Sequence, residues 1–190
     1  MRPAKISIIV GHDKKEQGAV LRLPDKKVIT EYQYNTRVAA AMKELSPHYN
    51  CIVNIFLRDN VGRLAAKRAA IAAEPDVILE LLFNGSTHPE VRGAEILCSH
   101  YYNKLPLPRM ILESCVKVFG GQNRGIKNPS REDNGWMNVK SIVPLFLLEP
   151  FFGSNELQAK VAMESVIEYA QSILADVEEC YGNSAPERIN

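Results

Sequence analysis

Short apolar runs of strand length recur along this chain, and a stretch with helical spacing follows most of them. That alternation restricts the fold more than any other feature, because strands separated by helices close most readily into a layered sheet. Residues 5–10, 51–56, 76–83, 94–99 and 142–148 read as strands. The runs 5–10 and 76–83 are almost continuously apolar, the pattern of a strand covered on both faces. Helices are predicted at 31–45, where Val38, Met42 and Leu45 share a face, and at 60–73, an alanine-rich stretch ended by Pro75. Two more are predicted at 108–119, stopped by Gly120-Gly121, and at 154–177, capped by Ser154 with Val161, Ile167 and Leu174 inward. Residues 122–137 are polar and rich in Gly, Asn and Arg, and read as a loop. The expected fold class is α/β: one domain over residues 1–180 with a twisted, mainly parallel sheet flanked by helices on both faces, and a flexible tail at 181–190.

A chain of 190 residues can bury one sizeable core, and 46% hydrophobic with 24% charged residues is ordinary for a globular domain. Lys plus Arg is 23 against 22 for Asp plus Glu, a net charge of +1, which gives no electrostatic footing for nucleic acid or an anionic membrane. The apolar run 6–10 is too short for a signal-peptide core or a membrane span, so the expected site of synthesis is the cytoplasm. Cys51, Cys98, Cys115 and Cys180 show no paired spacing and read as reduced, mostly packed thiols. Nothing in the sequence sets an oligomeric state.

Sheets of this class place their sites beyond the carboxyl ends of the strands. Three polar clusters fall there: Gly11-His12-Asp13, Asn84-Gly85-Ser86 and Glu149-Pro150. Glu31 opens a helix, where a carboxylate also suits the positive helix end. Imidazole and carboxylate are both zinc donors, yet a strand-end histidine and a first-turn glutamate each have an ordinary structural explanation. Glu149 lies between Val143-Pro144-Leu145-Phe146-Leu147-Leu148 and Pro150-Phe151-Phe152-Gly153. Burial there would raise its pKa and suit it to acid–base work, whereas a side chain reaching solvent would do nothing of the kind.

Ile8-Ile9-Val10-Gly11-His12, Glu31-Tyr32-Gln33-Tyr34-Asn35 and the block from Leu147 through Glu149-Pro150-Phe151-Phe152-Gly153-Ser154-Asn155 resemble the signature blocks of the zinc-dependent N-acetylmuramoyl-L-alanine amidases, in the family's order. Arg92-Gly93-Ala94-Glu95, Arg124-Gly125-Ile126-Lys127 and Glu80-Leu81-Leu82-Phe83-Asn84-Gly85 add to the resemblance, the last being similar to the third metal segment of phage endolysins. The resemblance implies a peptidoglycan hydrolase that cuts the amide between N-acetylmuramic acid and L-alanine. It further implies a Zn2+ cofactor held by His12 and Glu31, with Glu149 as the catalytic carboxylate. Asn35 would brace Glu31 from one helical turn away. A bacteriophage lysin without a signal peptide would reach the cell wall after release from the cytoplasm.

The third segment departs from the family, which has His, one residue and then Asn where this chain has Leu82-Phe83-Asn84. Leucine has no lone pair, and a catalytic zinc needs three protein ligands. Leu82 is open to three explanations: an introduced silencing substitution, a natural non-catalytic peptidoglycan-binding or structural relative, or replacement of the missing ligand by His88. Pro89 limits the ways His88 can fold back. Without zinc, Glu31 and Glu149 would share a cleft, which would raise at least one carboxyl pKa, and a protonated His12 would pair with Glu31. A zinc exopeptidase on a related scaffold would use a similar carboxylate and metal.

Overall fold

The computed structural model describes residues 2–130 and 139–182. In chain order these form β1 (Ala4–Val10), β2 (Val20–Arg22), β3 (Val28–Thr30), α1 (Glu31–Leu45), a 3-10 turn (Ser46–His48), β4 (Cys51–Phe56) and α2 (Gly62–Ala72). Then follow β5 (Val77–Leu81), β6 (Ala94–Cys98), α3 (Pro106–Phe119), β7 (Asn123–Lys127), β8 (Leu145–Glu149), α4 (Glu156–Glu164) and α5 (Val166–Tyr181). Six strands make one sheet in the order β4-β1-β5-β8-β6-β7. All neighbours run parallel except the antiparallel pair of β6 with β8, so the sheet is mainly parallel as expected.

The strand order decides which face each helix covers. The chain steps from β1 outward to β4 through α1, then returns past β1 to β5 through α2. Right-handed crossovers in opposite directions put their helices on opposite faces. The larger core accordingly joins Ile6, Ile8 and Val10 of β1 to Val38 and Met42 of α1, Ile111 of α3 and Ile173 of α5. The smaller one joins Ile9, Ile78 and Leu145 to Ala66 and Ala70 of α2. Strand order also reverses between β1 and β5, and a crevice opens beyond strand ends where this happens. The segments leaving those two strands are Gly11-His12 and Leu82-Phe83, stitched together by Gly11 N–H donating to Leu81 O at 2.9 Å.

Several sequence expectations need correction. The stretch read as a loop at 122–137 contains β7, which pairs with β6 at the sheet edge. Its polar composition is that of an edge strand exposed to solvent; residues 131–138 of that stretch lie outside the described residues. The single final helix is two helices broken at Ser165, and the cap is Asn155, whose side chain accepts from Gln158 N–H. Ile167, placed inward by the unbroken-helix reading, is exposed, because the break at Ser165 resets the helical phase; Leu174 is buried as expected. The last long strand begins at Leu145, three residues later than expected, and Ile142 is exposed. The β2–β3 hairpin was not foreseen. The four cysteines are free thiols, and no helix among the described residues is long and apolar enough to cross a membrane.

Candidate active site

Glu31 reaches the crevice because α1 begins there. Thr30 caps the helix with a full capping box, its side chain accepting from Gln33 N–H while the Gln33 side chain accepts from Thr30 N–H. The Glu31 carboxylate is buried, and both oxygens are held by backbone amides: Oε1 accepts from Phe83 N–H at 3.0 Å and Oε2 from Ala19 N–H at 3.0 Å. The bracing expected from Asn35 is therefore supplied by main chain. Asn35 itself is buried, and its Nδ2 has no hydrogen-bond partner.

His12 meets the same carboxylate, with Nε2 at 3.3 Å from Glu31 Oε2. The turn out of β1 is made at His12, which has φ 61°, the left-handed region that a non-glycine residue rarely adopts. Gly11 must be glycine for want of space: a Cβ there would lie 2.5 Å from Leu81 O and 2.7 Å from Leu82 Cγ. Gly18 is equally tight, at φ 76°, where a Cβ would come within 2.5 Å of both Glu31 Oε2 and His12 Cδ2.

Glu149 ends β8. Alternation along the strands puts Leu145, Leu147 and Glu149 on the α2 face, together with Ile78, Glu80 and Leu82. The Glu149 carboxyl is pushed up to about 8, first by burial, then by the charges of Glu31 and Glu95, with Arg63 pulling the other way. Its Oε2 has no hydrogen-bond partner. Two carboxyl groups are thus close enough to feel each other, Glu31 fixed by amides and Glu149 holding a proton through neutral pH.

Beneath them lies an ion cluster that sequence reasoning missed. Glu80, 1% exposed, pairs with Arg58, which leaves β4, and with Arg63 in the first turn of α2 at 3.1 Å. Burial lowers the pKa of both guanidinium groups, Arg63 to about 10. The available signal was a glutamate inside an apolar strand, a position that demands a partner. The motif pair Glu95 and Arg124 is also brought together: Arg124 Nε donates to Glu95 Oε2 at 3.0 Å, and its guanidinium lies 5.1 Å from the Phe152 ring centre. Asn84 donates to the other Glu95 oxygen at 3.0 Å, and its backbone bridges to Phe152, joining the third and last sequence blocks.

Leu82 occupies the third position of the proposed ligand set, packed against Gly11. His88 is turned elsewhere: its ring is 72% exposed and lies 3.5 Å from the Glu90 carboxylate. His48 and His100 are exposed. Among the described residues, no group of three or more His, Cys, Asp or Glu side chains is placed to hold a metal ion. Among the described residues the donors do not make a three-ligand centre: His12 and Glu31 are a pair, and the Leu82 isobutyl group packs beside Gly11.

Several solved structures share this fold. One is the N-acetylmuramoyl-L-alanine amidase from Clostridium difficile 630, at 17% identity and TM-score 0.76 over 97% of this chain and 100% of that one. A second is the catalytic domain of CwlV, an amidase from Bacillus (Paenibacillus) polymyxa var. colistinus, at 19% identity and TM-score 0.70 over 93% and 97%. A third is the catalytic domain of the CD27L endolysin targeting Clostridia difficile, at 21% identity and TM-score 0.66 over 92% and 96%. Identities this low establish shared fold alone. No curated protein sequence matches the chain. Residues 6–179 match the family described as N-acetylmuramoyl-L-alanine amidase, a span that runs from β1 into the last turn of α5, and the chain belongs to that family.

Proposed function

We propose that this chain is a peptidoglycan amidase by lineage and by cleft. Its ligand is the amide between N-acetylmuramic acid and L-alanine, and its hydrolytic step is disabled at the third ligand position, Leu82. The carrying observation is the absence, among the described residues, of any three-donor group around the His12–Glu31 pair. In this reading Glu149, Glu31 and His12 line the position of the scissile amide. Glu149, protonated through neutral pH, hydrogen-bonds the amide as a donor. Backbone N–H groups on both oxygens fix the Glu31 carboxylate beside His12 and leave a lone pair free on each oxygen.

The test is to mix the protein with purified cell-wall sacculi, then measure co-sedimentation, zinc content and release of L-alanine amino termini. The parent should pellet with the wall and release nothing, while Leu82→His should gain both zinc and release. Failure to pellet would remove peptidoglycan as the ligand. One observation favours a second reading, retained hydrolysis: Glu149 keeps a buried, unpartnered carboxyl oxygen at the crevice, a costly arrangement for a site without chemistry. Release of amino termini by the parent would establish that reading over the first.

A further inference from the structure

The crevice carries fixed charge close to Leu82. Glu80 precedes Leu82 by two residues on the same strand, so both side chains leave the sheet on the α2 face, roughly 7 Å apart along the chain. Arg58 and Arg63 converge on that single buried carboxylate from two different elements. Guanidinium groups keep their charge even when burial lowers their pKa, so two cations against one anion leave a net charge of +1 beside the position of the missing third ligand. The buried anion that this charge offsets is Glu31, since Glu149 holds a proton through neutral pH. The charges of Glu31 and Asp13 act on Arg58, and that of Arg63 acts on Glu149.

We infer that the Arg58–Glu80–Arg63 cluster is a fixed-charge replacement for a divalent cation, making this crevice metal-independent and actively unfavourable to one. The inference rests on His12, Glu31 and Glu149 forming one cleft, as in the function proposed above. It goes further, because loss of a ligand explains weak zinc binding without requiring any positive charge nearby. A fixed cation does two things that a missing ligand does not. It offsets the buried charge of Glu31 without metal, and it repels zinc even after a histidine has been restored.

Isothermal titration with zinc chloride, in the absence of peptidoglycan, separates these possibilities. The parent chain should take up no stoichiometric zinc, and its melting temperature should not move with EDTA. Leu82→His should bind zinc. Adding Arg63→Gln to Leu82→His reduces the cluster from +1 to neutral and should tighten zinc by about tenfold, the size expected for removing one charge at this range. Arg63→Lys in the same background keeps the charge and should leave zinc affinity unchanged. Arg63 is the partner to vary because its side chain is 34% exposed against 10% for Arg58, so its loss should be tolerated, and Arg63→Ala serves as a second neutral variant. One zinc bound per parent chain, or equal affinity in the Gln, Ala and Lys backgrounds, would overturn the inference. Neither result would bear on sedimentation with sacculi, so the two proposals fail separately.

Discussion

At single positions, the crevice is defined by groups that cannot move. His12 is held in left-handed backbone and Gly18 closes over it, leaving no room for a methyl group between the imidazole and Glu31. Gly18→Ala should therefore cost about 1–3 kcal/mol in urea denaturation, from overpacking and from its positive φ. It should also disturb the imidazole resonances of His12 in NMR spectra. Glu149 makes a pH prediction whose sign follows from its direction of shift. Its folded pKa of about 8 lies above its ordinary value of 4.5, so between those values the folded state holds a proton that the unfolded state has released. Stability should fall as pH rises through that window and level off above it, with a total amplitude of up to about 5 kcal/mol. Denaturation midpoints of the parent and Glu149→Gln across pH 5–9 check this; the variant should lose the slope.

Among the elements, the start of α1 matters most, because it delivers Glu31. Thr30 caps that start and also donates its hydroxyl to Gln17 Oε1 at 2.8 Å, tying the helix to the loop that carries Gly18. Thr30→Ala should cost about 1 kcal/mol in denaturation experiments. It should also fray the first helical turn, visible as faster amide exchange at Gln33. The helices and the buried strands were legible from periodicity, since Val38 and Met42 recur at helical spacing and β1 and β5 are mostly apolar. The edge strand β7 was not, because a strand with one open edge and polar neighbours has the composition of a loop. The break at Ser165 was hidden for a related reason: α4 and α5 each keep a buried stripe, and only their phase differs across the break.

Across the molecule, distant segments are locked by a few buried polar side chains. Gln158 in α4 accepts from Phe152 N–H at 3.0 Å and Gly93 N–H at 3.2 Å, and donates to Gly120 O at 2.9 Å. It thus ties the exit of β8 to the entry of β6 and the end of α3. Gln158→Leu would strand these groups in the interior and should cost about 3 kcal/mol or more, measured as a lowered denaturation midpoint. The sequence by itself determined the alternation of strands and helices, the order of the motifs, and the presence of His12, Glu31 and Glu149 at element ends, because these depend on local spacing. Only the tertiary structure decided that Arg58 and Arg63 meet on Glu80, that Leu82 packs against Gly11, and that His88 faces solvent beside Glu90. Those facts depend on which strand ends become neighbours and which carboxylates lose their water, and chain folding sets both across separations that no local pattern records.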